Sequence, residues 1–399
     1  MNELCRTLET IKRAMLDCQK ALFSLPEDIT YLNGAYMSPQ LRSVEEIGIE
    51  NLKRKSQPHL IQQEDFFSDR RTLCERFATL INAADARSCV IIPSVSYGTA
   101  TVAKNIPLER GDQILLVDEQ FPSNVYAWQE LAREHQAEVQ LIQAPKGFEQ
   151  RGLRWNENIL HAITQKTKVV AMPHVHWADG TQFDLVKIGQ LCRKVGAKLI
   201  IDGTQSVGAL PFDVNQIQPD ALICGGYKWL MGPYSLGLAY YGPHFDEGKP
   251  IEYNWMNRHQ SENFSALTQY QDQYQPKAGR YSVGESSNFI LVPMLLRALD
   301  QLLAWTPAKI QQYCGEIQQE AIPQLQALDC YIEENAYRAF HLFGVYLPEG
   351  APIEILKDRF RESKIYLSYR GKAVRVSPGV YNTKQDLEQL VTIFKSVLA

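Results

Sequence analysis

From about residue 88 the chain alternates short apolar runs with longer amphipathic stretches, and this rhythm constrains its fold more than any other feature. The runs are "CVII" (89–92), "QILLV" (113–117), "VQLI" (139–142), "KVVAM" (168–172), "KLIID" (198–202) and "ALIC" (221–224). Amphipathic stretches such as 123–135 and 184–195 separate them. Runs this short and this apolar read as strands buried on both faces, and the segments between have room for crossover helices. Repeated βα units build a mainly parallel sheet with helices on both sides. A last apolar strand, "LGLAYY" (236–241), closes the region. The expected class is α/β, with a large sheet-bearing domain.

The flanks predict a second, smaller domain. Helical spacing runs over 3–22 (Leu4, Leu8, Ile11, Met15, Leu22), and two more helices are expected near 40–54 and 65–82. Residues 244–283 are polar, aromatic-rich and loop-like, and a long helical region follows over 289–328. Then comes strand–helix–strand–helix texture: "FHLFGVYL", 353–362, "AVRVS" and 384–397. The expected division is an N-terminal segment 1–30 packing with the small domain, a large domain 31–285 and a small C-terminal domain 286–399. The 399 residues are 45% hydrophobic and 22% charged with a net charge of −4, which leaves no basic footprint for nucleic acid. No apolar run reaches membrane-spanning length, and the N-terminus lacks a signal-peptide core, so the cytoplasm is expected. The eight cysteines form no Cys-x-x-Cys pair and read as small hydrophobes.

In parallel α/β sheets ligands bind beyond the carboxyl ends of the strands. Beyond "CVII" lies "PSVSYGTATVAKN", a loop of small residues running into a helix whose free N–H groups can seat a phosphate. It is neither GxGxxG nor a P-loop. Asp202 ends "KLIID", and "ALIC" leads into Gly225, Gly226, Tyr227 and Lys228. A lysine hemmed in by Trp229, Leu230 and Met231 is either a snorkelling surface residue or a desolvated nucleophile. An anion seat, a carboxylate and a lysine at adjacent strand ends are what pyridoxal phosphate needs for its phosphate, ring nitrogen and aldehyde. A competing reading is a metal-dependent hydrolase using His174 and His176, with Asp202 and Asp179.

Residues 31–399 also resemble the class V aminotransferase group of fold-type I pyridoxal-phosphate enzymes, which includes cysteine desulfurases, selenocysteine lyases and isopenicillin epimerase-like proteins. The resemblance is carried by "HVHWADGTQFDLVKIGQLCRKVGAKLIIDGTQSVGALPFDV" and "DALICGGYKWLMGP". It implies Lys228 as the catalytic Schiff-base lysine and Asp202 on the ring nitrogen, with Gln205 near the ring hydroxyl and Tyr227 on the phosphate. Val95 and Ser96 fall at the phosphate-binding helix start, and Phe121 falls where relatives stack a ring on the cofactor. "YLNGAYMSP", with Asn33 and Ala35, resembles the substrate-side loop, and Arg375 in "AVRVSPGVYNT" the arginine that holds the α-carboxylate. The group further implies an amino-acid substrate and a homodimer with its active site at the interface.

Several positions depart from that pattern. "IYLSYRGKAVRVS" lacks the cysteine that desulfurases carry before this arginine, which argues against a persulfide route. Trp177 stands where many relatives place an asparagine on the ring hydroxyl, and an indole donates one hydrogen bond and accepts none. Gly225 replaces a frequent phosphate-binding serine. Glu285 replaces a threonine that reaches the other subunit's phosphate, so Ser286 or Arg280 would take over. An aminotransferase or a C–S/β-elimination lyase is the expectation, with desulfurase, selenocysteine lyase and epimerase as alternatives.

Overall fold

The computed structural model describes residues 15–398. Most of the N-terminal helix expected over 3–22, and Cys5, lie outside them; within them only Lys20–Leu22 forms a short helical turn. Each apolar run from 89 to 241 is a strand: β1 Cys89–Ile92, β2 Gln113–Val117, β3 Glu138–Ile142, β4 Thr167–Pro173, β5 Lys198–Asp202, β6 Ala221–Gly225 and β7 Gly237–Tyr241. They form one sheet in the order β1-β7-β6-β5-β4-β2-β3, with β7 antiparallel to both neighbours and all other pairs parallel.

Strand side chains alternate between faces, and alternate residues enter two separate cores. Ile91, Leu115, Val170, Leu199 and Leu222 belong to one, with the helices α1 Arg42–Lys55 and α2 Ser68–Leu80 and with α6 Leu185–Val195. Ile92, Ile114, Val169, Ile200 and Ile223 belong to the other, under α3 Val95–Ala103 and α4 Tyr126–His135. A fifth helix of this region, α5 Arg151–Ala162, begins with the buried Arg151.

The single helical region expected over 289–328 is instead broken. Helix α7 Leu291–Trp305 stops at Thr306, whose φ is 67°, and α8 Pro307–Gln318 starts on a proline. A short third piece covers Ala321–Gln326. Proline has no N–H to continue a helix and steers the residue before it away from α geometry, so the break is written at Pro307. Helix α7 packs against α1 and α2. The C-terminal part holds an antiparallel sheet, β8 Phe343–Tyr346, β9 Ser368–Arg370 and β10 Ala373–Val376, in the order β9-β10-β8, with α9 Ile353–Glu362 and α10 Lys384–Leu398. Residues Thr30–Tyr31 pair with Ile365–Tyr366 and tie the N-terminal segment to it. Residues 244–283 form only short turns.

A buried ion cluster joins the two parts. Arg151 lies 2.9 Å from Asp179 and 3.5 Å from Glu333, and the Tyr346 hydroxyl donates to Asp179 at 2.8 Å. The Gly344 N–H donates to the Asp179 carbonyl. Among the described residues no helix is long and apolar enough to cross a membrane.

Candidate active site

The carboxyl ends of β1, β2, β4, β5 and β6 meet around a cavity of about 300 Å³. Its wall contains Val95, Ser96, Phe121, Trp177, Asp202, Gln205, Tyr227 and Lys228, eight residues expected from the sequence. A second chamber of about 340 Å³ shares Phe121, Trp177, Tyr227, Tyr234 and Lys228, and adds Ala35, Tyr36, Met37, Arg370 and Arg375. Lys228 stands between the two.

The reason for that lysine is now visible. It is buried, and its Nζ lies 5.4 Å from the Phe121 ring centre and 5.5 Å from that of Tyr227. Burial pulls its pKa down to about 8 against the attraction of Asp202, and Arg375 and Arg370 add to the fall. The amine therefore becomes neutral more than two units below an ordinary lysine. Asp202 accepts the Thr204 N–H on Oδ1 at 2.9 Å, while burial raises its pKa against that bond and the charge of Lys228. Thr204 also takes the Gly225 N–H at 3.0 Å, which fastens the ends of β5 and β6 together.

Ser94 caps α3 by accepting the Tyr97 N–H, and the first-turn residues Val95 and Ser96, whose N–H groups have no intrahelical acceptor, line the cavity. A side chain at Gly225 would stand 3.6 Å from Val95 and 3.3 Å from Tyr227, within this anion seat. Gln205 accepts the Trp229 indole N–H on Oε1 at 2.9 Å and donates to the Ala35 carbonyl at 3.0 Å. These bonds orient the amide and leave its second N–H free.

Arg375 is buried. It donates to the Trp177 carbonyl at 3.0 Å and to Ser368 Oγ at 3.3 Å, its Nε has no partner, and it forms no ion pair among the described residues. Burial, then the neighbouring Arg370, depress its pKa.

Four expected residues stand differently. The Trp177 indole donates its one N–H to the Glu119 carbonyl at 2.6 Å, so it offers the cavity a ring face and no donor. Asn33 lines neither chamber; it accepts from Ser368, which in turn receives Arg375, and so acts behind the arginine. Ser286 is buried beside the Met256 sulfur at 3.7 Å, away from the cavity of its own chain, and Arg280 is engaged by Gly248 and Glu247.

The metal reading is overturned. His174 packs on Phe212 and burial pulls it down to about 3, whereas His176 bonds Asp179 and packs on Trp155. Among the described residues no group of three or more His, Cys, Asp or Glu side chains could share a metal. Sequence reasoning missed Thr204, Tyr234 and Arg370. Thr204 could have been found two residues after Asp202, where an aspartate takes a backbone N–H in a tight turn.

A lysine, a carboxylate and a helix-end anion seat on this sheet order define a fold-type I pyridoxal-phosphate enzyme. The model of the aminotransferase class-V family matches residues 62–390, and the chain belongs to that family. An uncharacterized aminotransferase, YcbU of Bacillus subtilis, is 24% identical over 79% of this chain and 80% of its own length. A probable cysteine desulfurase of Methanothermobacter thermautotrophicus is 30% identical over 42% of this chain and 40% of its own. A solved C-DES mutant with glycine covalently linked to the PLP cofactor superposes with a TM-score of 0.83 at 18% identity, covering 94% of this chain and 98% of that one. The protein is a pyridoxal-phosphate-dependent enzyme.

Proposed function

We propose that the enzyme is an aminotransferase or a C–S/β-elimination lyase acting on an α-amino acid, without a catalytic cysteine. The observation that carries this reading is Arg375, a buried guanidinium without a counter-ion in the same chamber as Lys228. Burying an unpaired cation costs several kcal/mol, and a carboxylate presented to its fork recovers that cost. Pyridoxal phosphate, when bound, supplies an aldehyde that captures amines and a ring that draws electrons from Cα.

Every other step belongs to residues of this chain. The Val95 and Ser96 N–H groups, with Tyr227, would hold the phosphate, and Asp202 would hold the protonated ring nitrogen. The second N–H of Gln205 would be free for the ring hydroxyl. Phe121 and Trp177 would wall the ring. Arg375 holds the substrate carboxylate, and the neutral Lys228 amine takes the Cα proton and returns it. A thiol-based route finds no support here: none of the described cysteines lines either chamber, and only Gly371 and Lys372 separate β9 from β10.

The same reading includes the division into domains at 31–285 and 286–399, with substrate between them. It also includes a two-fold homodimer in which segment 280–288, with Ser286, completes the other subunit's phosphate site. Ser286 standing outside its own chain's cavity fits that role. The test is an amino-acid panel on the cofactor-loaded enzyme, followed by absorbance and by analysis for keto acid, sulfide and ammonia. Keto acid formed without ammonia identifies transamination, and keto acid formed together with ammonia identifies elimination, with sulfide added when the leaving group is sulfur. A panel in which no amino acid changes the absorbance rejects the proposal.

A further inference from the structure

We propose that Arg370 reads a second carboxylate on the substrate, so that the preferred substrate is a dicarboxylic amino acid; this rests on the reading of Arg375 as the α-carboxylate site. The register of the β9–β10 hairpin carries the argument. Ser368 pairs with Arg375 and Arg370 with Ala373, and residues two apart on a strand share a face. Arg370 and Arg375 therefore project from the same face of one hairpin.

Both guanidinium groups lie over the Trp177 ring, at 5.4 Å for Arg370 and 5.9 Å for Arg375. One small molecule can span them. The chamber they enter is lined by Ala35, Tyr36, Met37, Phe121, Trp177, Tyr227, Lys228, Tyr234 and the two arginines, with no acidic residue. Arg370 donates to the Tyr369 carbonyl at 2.7 Å and forms no ion pair among the described residues. An α-carboxylate answers one fixed positive charge and leaves the other. A guanidinium also presents a flat fork that matches a second carboxylate. Arg375 is buried and Arg370 half-buried, so each pairing is worth more than at an open surface.

The test uses the cofactor-loaded enzyme and two unreactive probes, glutarate and butyrate, with binding measured by calorimetry. Glutarate should bind roughly tenfold tighter or more, as expected for one added charge-assisted contact. Arg370→Gln should bring the ratio near one, and Arg370→Lys should keep part of it, with the cofactor absorbance of each variant reporting an intact fold. Among amino acids, L-glutamate or L-aspartate should then show a lower KM than L-glutamine or L-asparagine, and Arg370→Gln should erase the difference. Equal binding of the two probes by the wild type, or a preference that survives Arg370→Gln, overturns the proposal. Arg375→Lys tests the underlying reading separately, because it should weaken glutarate and butyrate alike. If the wild type turns over neutral amino acids as well as acidic ones, the dicarboxylate proposal falls and the amino-acid reading stands.

Discussion

Lys228 pairs a buried position with a chemistry that needs an uncharged amine. Its pKa of about 8 sets a pH dependence whose sign is fixed: above that value the amine is neutral and can attack an aldehyde, and below it the amine is protonated and inert. In cofactor-free protein, the rate of pyridoxal-phosphate uptake should rise with pH and level off above about 8, instead of climbing towards the ordinary value near 10.4. Stopped-flow absorbance measures this, and borohydride reduction with peptide mapping should place the adduct on Lys228. A second prediction concerns Asp202. Asp202→Asn should keep part of the cofactor affinity and lose about 10²–10³-fold in turnover, because an amide cannot stabilise a protonated ring as charge develops on it. Steady-state kinetics at saturating cofactor would expose an unaffected variant. Lys228 and Asp202 were legible in the sequence because strand ends mark them, and Arg375 only through the family resemblance of its segment. The contacts of Trp177 and Asn33 were not, since only the folded chain shows the Glu119 carbonyl taking the indole N–H and Ser368 standing between Asn33 and Arg375.

At the level of elements, the sheet was the most readable part, because unbroken apolar runs at regular spacing admit few alternatives. The break at Thr306 was marked by Pro307, but the apolar residues on both sides of it still read as one long helical region. The turn after β5 was not resolved beyond its motif. Gly208 has φ +104°, and a Cβ there would stand 2.2 Å from the Trp229 carbonyl oxygen. Gly208→Ala should therefore cost about 2 kcal/mol or more, with the Trp229 bond to Gln205 loosened. Denaturant unfolding of the loaded enzyme should show the lowered midpoint, and an unchanged midpoint would mean that the turn yields freely. The tight β9–β10 turn carries a further expectation. Native-state thiol alkylation should leave turnover with the true substrate largely intact, whereas inactivation traced to one thiol bearing a persulfide would restore the desulfurase alternative.

Across the whole molecule, the Arg151–Asp179–Glu333 cluster holds the C-terminal sheet against the loop after β4. Arg151→Met would leave two buried carboxylates without their cation, and should destabilise the fold by about 3–5 kcal/mol in equilibrium unfolding. A change within a few tenths of a kcal/mol would show that Arg151 adds nothing net to the stability of the cluster. The sequence showed none of this, because the three residues are far apart in the chain and each alone resembles a surface charge. The strand order has one more consequence, and it concerns synthesis. β1 emerges early but has a single neighbour, β7, which is the last strand of its sheet to emerge. Until β7 arrives, β1 has no strand partner linking it to β6, the strand that leads into Lys228. Pairing of this kind is slow, since the chain must close a long loop before the contact repays it. Released fragments ending before residue 237 should thus yield no borohydride-fixed cofactor on Lys228, and full-length chains should. The cofactor would then join a finished sheet rather than help to nucleate one.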